Sequence, residues 1–169
     1  IILYPHPFNF SKMNNLGVAN AQGDFILCLN DDTKAIDPDW LTEMVSICQQ
    51  NDVGIVGAKL LHSNGTIQHS GAVFLKSGSG FHVFENMLEK NTGFFNMHNI
   101  IRNYSAVTGA CLLIKKTIFE KINGYDENFD LFYGDADLCL KTLEAGFHVV
   151  YTPYAKLLHE GSTTIKKNT

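Results

Sequence analysis

Two acidic clusters in this sequence stand where a folded chain could put carboxylates to use. The first, Asn30-Asp31-Asp32-Thr33, directly follows Phe25-Ile26-Leu27-Cys28-Leu29, an apolar run that reads as a strand buried on both faces. In open α/β sheets, ligands bind in the crevice at the carboxyl ends of the strands. Carboxylates placed there can hold a hard divalent cation, which in turn holds phosphate oxygens. The same residues would also make an ordinary solvated turn, since Asn and Asp are common turn formers. The second cluster is Asp135 and Asp137, within Tyr133-Gly134-Asp135-Ala136-Asp137-Leu138. Both fall at a helix start, where a carboxylate gains roughly 0.3–1 kcal/mol from the helix dipole. One Asp is thereby accounted for as a cap, and the other is not. The flanking Phe132-Tyr133-Gly134 reads as an apolar wall, in which a carboxyl pKa rises toward the range of a general base. From these residues alone, cap and base both remain open. His159, closing the run Leu157-Leu158, reads as a structural histidine, as do His62, His69, His82, His98 and His148.

The elements that must position these groups follow from pattern. Ile1 to Tyr4 is a short apolar run ended by Pro5 and reads as a strand. Asn9 or Ser11 can cap the helix that follows, accepting hydrogen bonds from its free N–H groups, and Gly23 suits its far end. Asp37-Pro38-Asp39 predicts a helix start with Asp37 as cap, and Leu41, Met44, Val45 and Cys48 form its buried stripe. Val53 to Gly57 reads as a strand. This alternation of strand and helix argues for an α/β sheet. Residues 75 to 103, rich in Gly, Ser, Asn and Phe, read as a long excursion, partly mobile, of the kind that covers a site. Strand character resumes over 106–114, helices follow at 117–122 and 135–145, and Val149 to Tyr151 is the last strand. The tail from Ile165 reads as polar and frayed.

At 169 residues the chain is long enough for one full core, so a single domain over 1–169 is expected. A net charge of −4 with 18% charged residues leaves no polybasic surface, so a nucleic-acid partner is not expected. Cys28, Cys48, Cys111 and Cys139 are scattered through apolar runs, which suits buried free thiols in a reducing compartment. No apolar stretch reaches the roughly 18 residues of a membrane helix. The opening Ile1-Ile2-Leu3-Tyr4 reads as the interior of a longer chain.

Several ordered segments together resemble family 2 glycosyltransferases. They are Phe8 to Asn15, Gly23 to Thr33, Thr108 to Cys111, Gly124 to Phe129, and Asp135-Ala136-Asp137-Leu138-Cys139-Leu140-Lys141. The match runs from Pro7 to His159 and is nearest in character to bacterial rhamnosyltransferase-like, polysaccharide-synthesis members. The resemblance implies a GT-A fold: a Rossmann-like mixed α/β sheet flanked by helices, here the central and C-terminal part without the first nucleotide-binding strands. It implies an inverting transfer from a nucleotide-sugar donor to a glycan or lipid-linked acceptor, assisted by Mg²⁺ or Mn²⁺. Asn30 and Asp31 would then meet the donor diphosphate, with Asp32 as direct metal ligand and His159 as a further one. Asp135 takes the place of the catalytic base. The Glu that precedes the base in the family is replaced here by Gly134, which bears on acceptor orientation. Thr108, Gly109 and Asp137 would complete the substrate pocket, Gly109 allowing close backbone approach. A lipid-linked acceptor would place the enzyme in the cytoplasm, peripherally associated with the inner face of the plasma membrane. This chain by itself would not be expected to bind donor tightly or to turn over.

Two other readings compete. One is a nucleotide-sugar or glycan binding module that has lost activity, suggested by the missing Glu. The other is a metal-dependent phosphohydrolase, for which the required acid pairs and Lys are not found in matching order.

Overall fold

The computed structural model describes residues 1–161. In chain order the elements are α1 (Phe10–Asn20), β1 (Phe25–Leu29), β2 (Thr33–Ala35), α2 (Trp40–Cys48), β3 (Val53–Leu61), β4 (Ile67–His69), β5 (Ala72–Phe74) and β6 (Gly80–His82). There follow a 3-10 turn (Met97–Asn99), β7 (Arg102–Asn103), β8 (Cys111–Lys115), α3 (Lys116–Lys121), α4 (Gly134–Glu144) and β9 (His148–His159). Seven strands form one mixed sheet with the path β1-β8-β3-β9-β2, β4 pairing with β3 and β7 with β9; β5 and β6 make a separate hairpin.

The continuous apolar runs form strands covered on both faces, β8, β3 and β9 in the centre of the sheet and β1 at its end beside β8, and alternate side chains serve opposite layers. Ile26, Cys28, Leu112, Ile114, Val149 and Tyr151 pack with Val18 of α1, Phe119 of α3 and Leu138 of α4. Their sequence neighbours Cys111, Leu113 and Val150 face the other way, against Met44, Ile47 and Cys48 of α2. β8 lies antiparallel between β1 and β3, with Leu29 opposite Cys111 and Gly57 opposite Leu112. β3 and β9 run parallel.

Local readings are corrected at several points. Residues 1–4 form no strand, and Ile1, Ile2 and Leu3 are exposed, because no strand among the described residues pairs with them. Asn9 does cap α1, its side chain accepting from the Lys12 N–H. The second helix begins at Trp40 behind Asp39, not at Pro38 behind Asp37. The reason is that Ile36 still donates to the Lys156 carbonyl, so the chain must leave the sheet edge before it can coil. The buried stripe of α2 is accordingly rotated to Met44, Ile47 and Cys48, with Leu41 exposed. The strand expected over 106–114 begins only at Cys111, and the short run 149–151 is the middle of a twelve-residue strand. The tail from Ile165 lies outside the described residues.

The excursion over 75–103 contains β6, the 3-10 turn and β7, and it is anchored to the sheet. Lys59, fully buried on β3, donates to Glu89 at 3.5 Å and to Asn99, while Lys156 reaches Glu89 at 2.9 Å. Tyr151 Oη donates to the His98 carbonyl at 2.7 Å. Hydrogen bonding from Lys156 holds the Glu89 carboxyl below its ordinary range.

All four cysteines are unpaired and buried, as expected. Burial pushes each thiol up from 9.0: Cys48 to about 11, Cys111 to about 12, Cys28 and Cys139 also upward. The unfolded chain releases these protons first, so their contribution is full below pH 9 and is lost as pH rises from 9 toward 12. Lys59 acts oppositely, since burial lowers it from 10.5 to about 8 and unfolding takes up its proton between those values. One lysine against four thiols leaves the net sign falling. The denaturant midpoint is therefore expected to drop steadily from about pH 9 upward. A thiol reagent applied at pH 8 should modify no cysteine until denaturant is added.

Candidate active site

Three strand ends meet at one edge of the sheet and build a cavity of about 950 Å³. β1 ends at Leu29 and delivers Asn30, Asp31 and Asp32. β8, running the other way, is preceded there by Thr108, Gly109 and Ala110, and Asn30 N donates to the Ala110 carbonyl at 3.0 Å. β9 arrives with its last residue, His159, paired opposite Thr33 of β2. The Thr33 hydroxyl closes the acidic turn by donating to the Asn30 carbonyl at 2.7 Å. The β5–β6 hairpin and the segment before α4 complete the walls, contributing Phe74, Phe81, His82, Phe132 and Tyr133.

Asp32 and His159 stand together on one wall. His159 Nε2 is 3.0 Å from Asp32 Oδ1, with the two side chains 13% and 19% exposed respectively. His159 Nδ1 donates to the Gln68 side-chain carbonyl, which puts a proton on Nδ1, so that in the neutral ring Nε2 is an acceptor. Asn30 Nδ2 donates to that nitrogen at 3.3 Å. Asp32 Oδ1 is buried and has no hydrogen-bond donor. Two acceptors therefore face each other at contact distance, an arrangement relieved by positive charge between them, whether a proton or a cation. The donor set of one carboxylate, one imidazole and space for further oxygens fits a divalent ion. No group of three His, Cys, Asp or Glu side chains among the described residues is placed to hold one unaided. A bound ion would take its remaining ligands from water or substrate.

Asp135 faces the same cavity from the first turn of α4. One carboxylate oxygen accepts from Gly109 N at 2.8 Å and the other from Ala136 N at 2.9 Å. Each oxygen keeps acceptor capacity for a substrate. Gly109 sits in a close-packed place: a Cβ there would lie 3.1 Å from the Phe10 ring and 3.3 Å from Asp135 Cβ. At position 134 a Cβ would come within 2.9 Å of Ser11 Oγ, so a Glu before Asp135 would require Ser11 to shift from the Phe129 carbonyl. Asp137 is not among the cavity residues. Its carboxylate lies 3.1 Å from Lys141 Nζ one turn along α4, and that nitrogen donates to the Gly124 carbonyl.

The segment leading to Asp135 is clamped by α1, a role that pattern reading missed. Asn9 Nδ2 donates to the Glu127 carbonyl at 3.1 Å, Ser11 Oγ to Phe129 at 2.6 Å, and Phe10 N to Asp130 at 2.6 Å. Asn15 grips Tyr125 twice, accepting from its N–H and donating to its carbonyl, both at 3.0 Å. The polar residues spaced through Phe8 to Asn15 were the available signal. Gln68 and the histidine pair His69 and His82 were also missed, since their partners are distant in sequence.

The family model for "Glycosyltransferase like family 2" matches residues 5–168. The chain belongs to that family. Among curated relatives, the chain is 43% identical over 159 residues to the uncharacterized protein y4gI of Sinorhizobium fredii, covering 94% of this chain and 18% of that one. It is 37% identical over 164 residues to the O-antigen biosynthesis protein RfbC of Myxococcus xanthus, covering 96% of this chain and 13% of the relative. The chain thus spans less than a fifth of the length of these relatives. In fold it is similar to GalNAc-T7, solved with UDP, GalNAc and Mn²⁺, with a TM-score of 0.71 at 12% identity over 92% of this chain and 31% of that one. The chain has the GT-A fold, a mixed sheet flanked by helices. No helix among its described residues is long and apolar enough to cross a membrane.

The α1 clamp makes a stability prediction. Asn15→Ala leaves the partly buried Tyr125 N–H and carbonyl without their side-chain partner, and is expected to cost about 1–3 kcal/mol in denaturant unfolding. A loss below about 0.5 kcal/mol, the range of a neutral surface change, would show that the clamp is dispensable.

Proposed function

We propose that the full-length protein transfers a sugar, with inversion, from a nucleotide-sugar donor to a glycan or lipid-linked acceptor in cell-surface polysaccharide synthesis. The observation that carries the reading is the placement of the oriented Asp135 carboxylate and the Asp32–His159 pair on the walls of one cavity. The relative named for O-antigen biosynthesis supports the polysaccharide assignment. Action on a lipid-linked acceptor would bring the enzyme to the inner face of the plasma membrane.

In this reading the acceptor hydroxyl binds against Asp135. The carboxylate takes its proton as the oxygen attacks the anomeric carbon, and the bond to the nucleoside diphosphate breaks on the opposite face. Attack and departure on opposite faces invert the configuration. Gly109 N and Ala136 N hold the carboxylate in place throughout, so little reorganisation is needed at the moment of transfer. Asp32 and His159 would hold Mg²⁺ or Mn²⁺, which when bound supplies positive charge to the departing diphosphate. Gln68 keeps the His159 lone pair aimed at that position. Asn30, Asp31 and Thr108 border the donor, and the β5–β6 hairpin shields the cavity from water, suppressing donor hydrolysis.

Asp135→Asn keeps the shape and removes the base. The expected outcome is a fall of about 10²–10⁴-fold in kcat for release of nucleoside diphosphate by the full-length enzyme. Retention of transfer within about threefold would remove Asp135 from the role, because loss of a general base cannot be that cheap. Binding of donor with no transfer by the wild type, across a panel of donors and acceptors, would favour an inactive binding module. For the cation, Gln68→Leu is expected to weaken Mn²⁺ binding in the presence of nucleoside diphosphate by about 10–100-fold, followed by the EPR signal of free Mn²⁺. Unchanged affinity would show that His159 is not a ligand.

A further inference from the structure

The wall made by β4, β6 and the approach to β8 carries a second histidine arrangement, separate from His159. His69, at the end of β4, is fully buried, and His82, at the end of β6, opens onto the cavity. Their Nδ1 atoms lie 2.8 Å apart, with the rings nearly perpendicular. His69 Nε2 receives two backbone N–H groups, from Gly71 at 3.2 Å and Thr108 at 3.3 Å. Backbone amides can only donate, so this nitrogen carries no proton. The His69 proton therefore sits on Nδ1 and is donated to His82. His82 Nδ1 must accept it, which leaves the His82 proton on Nε2, the ring nitrogen that no group among the described residues engages. Burial pushes the His69 pKa well down, consistent with a neutral ring.

The backbone is shaped to hold this pair. Gly71 has a φ of +104°, which turns its N–H back onto His69, and a Cβ there would lie 2.1 Å from the Tyr104 ring. Ser70 Oγ donates to the Val83 carbonyl and Val83 N to Gly71 O, tying the residue after His82 to the residues after His69. Meanwhile the cavity is lined by the carboxylates of Asp31, Asp32 and Asp135 and, among the described residues, by no Lys or Arg. The side-chain amides lining it, those of Asn14, Asn30 and Gln68, each engage a protein acceptor.

We propose that His82 binds substrate by donating its Nε2–H to an oxygen of the bound glycosyl substrate, with His69 as the positioning residue that fixes the tautomer. This rests on the glycosyltransferase reading and adds to it a substrate contact outside the acidic turn and Asp135. The oxygen can belong to the nucleotide-sugar or to the acceptor glycan, and kinetics separates the two.

The test begins with long-range ¹H–¹⁵N correlation on full-length protein labelled with ¹⁵N-histidine. His69 should be protonated on Nδ1 and His82 on Nε2. His69→Asn, which retains an N–H donor toward His82, should keep the Nε2–H form, whereas His69→Leu should give a tautomer mixture. His82→Leu should raise KM for one substrate by about tenfold, the equivalent of one hydrogen bond, and His82→Gln should recover it to within about threefold. A raised donor KM places the oxygen on the nucleotide-sugar, and a raised acceptor KM places it on the acceptor. A His82 Nδ1–H tautomer, unchanged kinetics in His82→Leu, or equal impairment by Leu and Gln would overturn the proposal. Absence of transfer by the wild type would instead sink the glycosyltransferase reading. The tautomers, and a shift of His82 Nε2 on adding a nucleoside-diphosphate sugar or an acceptor glycan, would still decide the His82 claim.

Discussion

The site depends first on the register of β9. This strand lies parallel to β3 along its length and clips β2 antiparallel at its far end, so that His159 is delivered opposite Thr33 and beside Asp32. Side chains alternate along a strand, so a slip of one residue would put Leu158 where His159 stands and turn the imidazole to the other face. The slip is prevented far from the cavity, by Val149, Tyr151 and Leu157, each packed into one core layer or the other. β9 also departs from regular pairing between Thr152 and Lys156, where β3 advances by a single residue from Ala58 to Lys59. Pro153, which has no N–H to give the ladder, falls inside that irregular stretch. The strand can therefore accommodate the proline and still return to register before reaching the site.

The apolar centre and the polar edge are built by different rules. In the centre, side chains fill two apolar layers. At the edge, key polar groups are satisfied by backbone: Asp135 by Gly109 N and Ala136 N, His69 by Gly71 N and Thr108 N. Backbone donors have no rotamers to lose, so they fix direction cheaply. Among the cavity's carboxylates, Asp32 Oδ1 is buried without a hydrogen-bond donor, 3.0 Å from His159 Nε2. Buried polar groups in native proteins are nearly always paired, so an orphan at the mouth of a cavity points to something the cavity is meant to receive.

How much of this was legible in the sequence follows from the range of the interactions involved. Val53 to Gly57 and Val149 to Tyr151 announced central strands because burial on both faces writes itself as an unbroken apolar run, while the similar run Phe25 to Leu29 stands at the end of the sheet, beside β8 alone. The acidic turn and Asp135 were legible as chemistry because the ordered blocks around them resemble one family. The extension of β9 to His159 was hidden by Thr152-Pro153-Tyr154, which locally reads as a strand ending. The start of α2 was hidden because the sheet-edge bond from Ile36 overrides a good local capping sequence. Residues 1–4 misled in the other direction: apolar and extended in pattern, they have no partner strand among the described residues. Asp137 was grouped with Asp135 by proximity in sequence, yet two positions on a helix are 200° apart and only one faces the cavity. Side chains whose partners are remote, such as Gln68 with His159 or Asn15 with Tyr125, leave no local pattern at all.

The composition of the cavity sets an electrostatic condition on the proposed reaction. A donor diphosphate would enter a space already lined by three carboxylates and, among the described residues, by no lysine or arginine. Like charges at such distances disfavour binding, and the partly enclosed walls weaken screening by water. The His82 N–H, which carries no formal charge, can orient an oxygen without offsetting that repulsion. Positive charge at the Asp32–His159 pair can offset it, and it would lie where both the acidic turn and the incoming phosphate profit. Cation and donor would then each raise the affinity of the other by the same factor, as linkage requires. On this view the acidic turn is no obstacle to an anionic substrate. It keeps the empty site unattractive to diphosphates in general and makes occupancy conditional on the ion, while Asp135, held apart by the Gly109 and Ala136 amides, stays available for the acceptor proton.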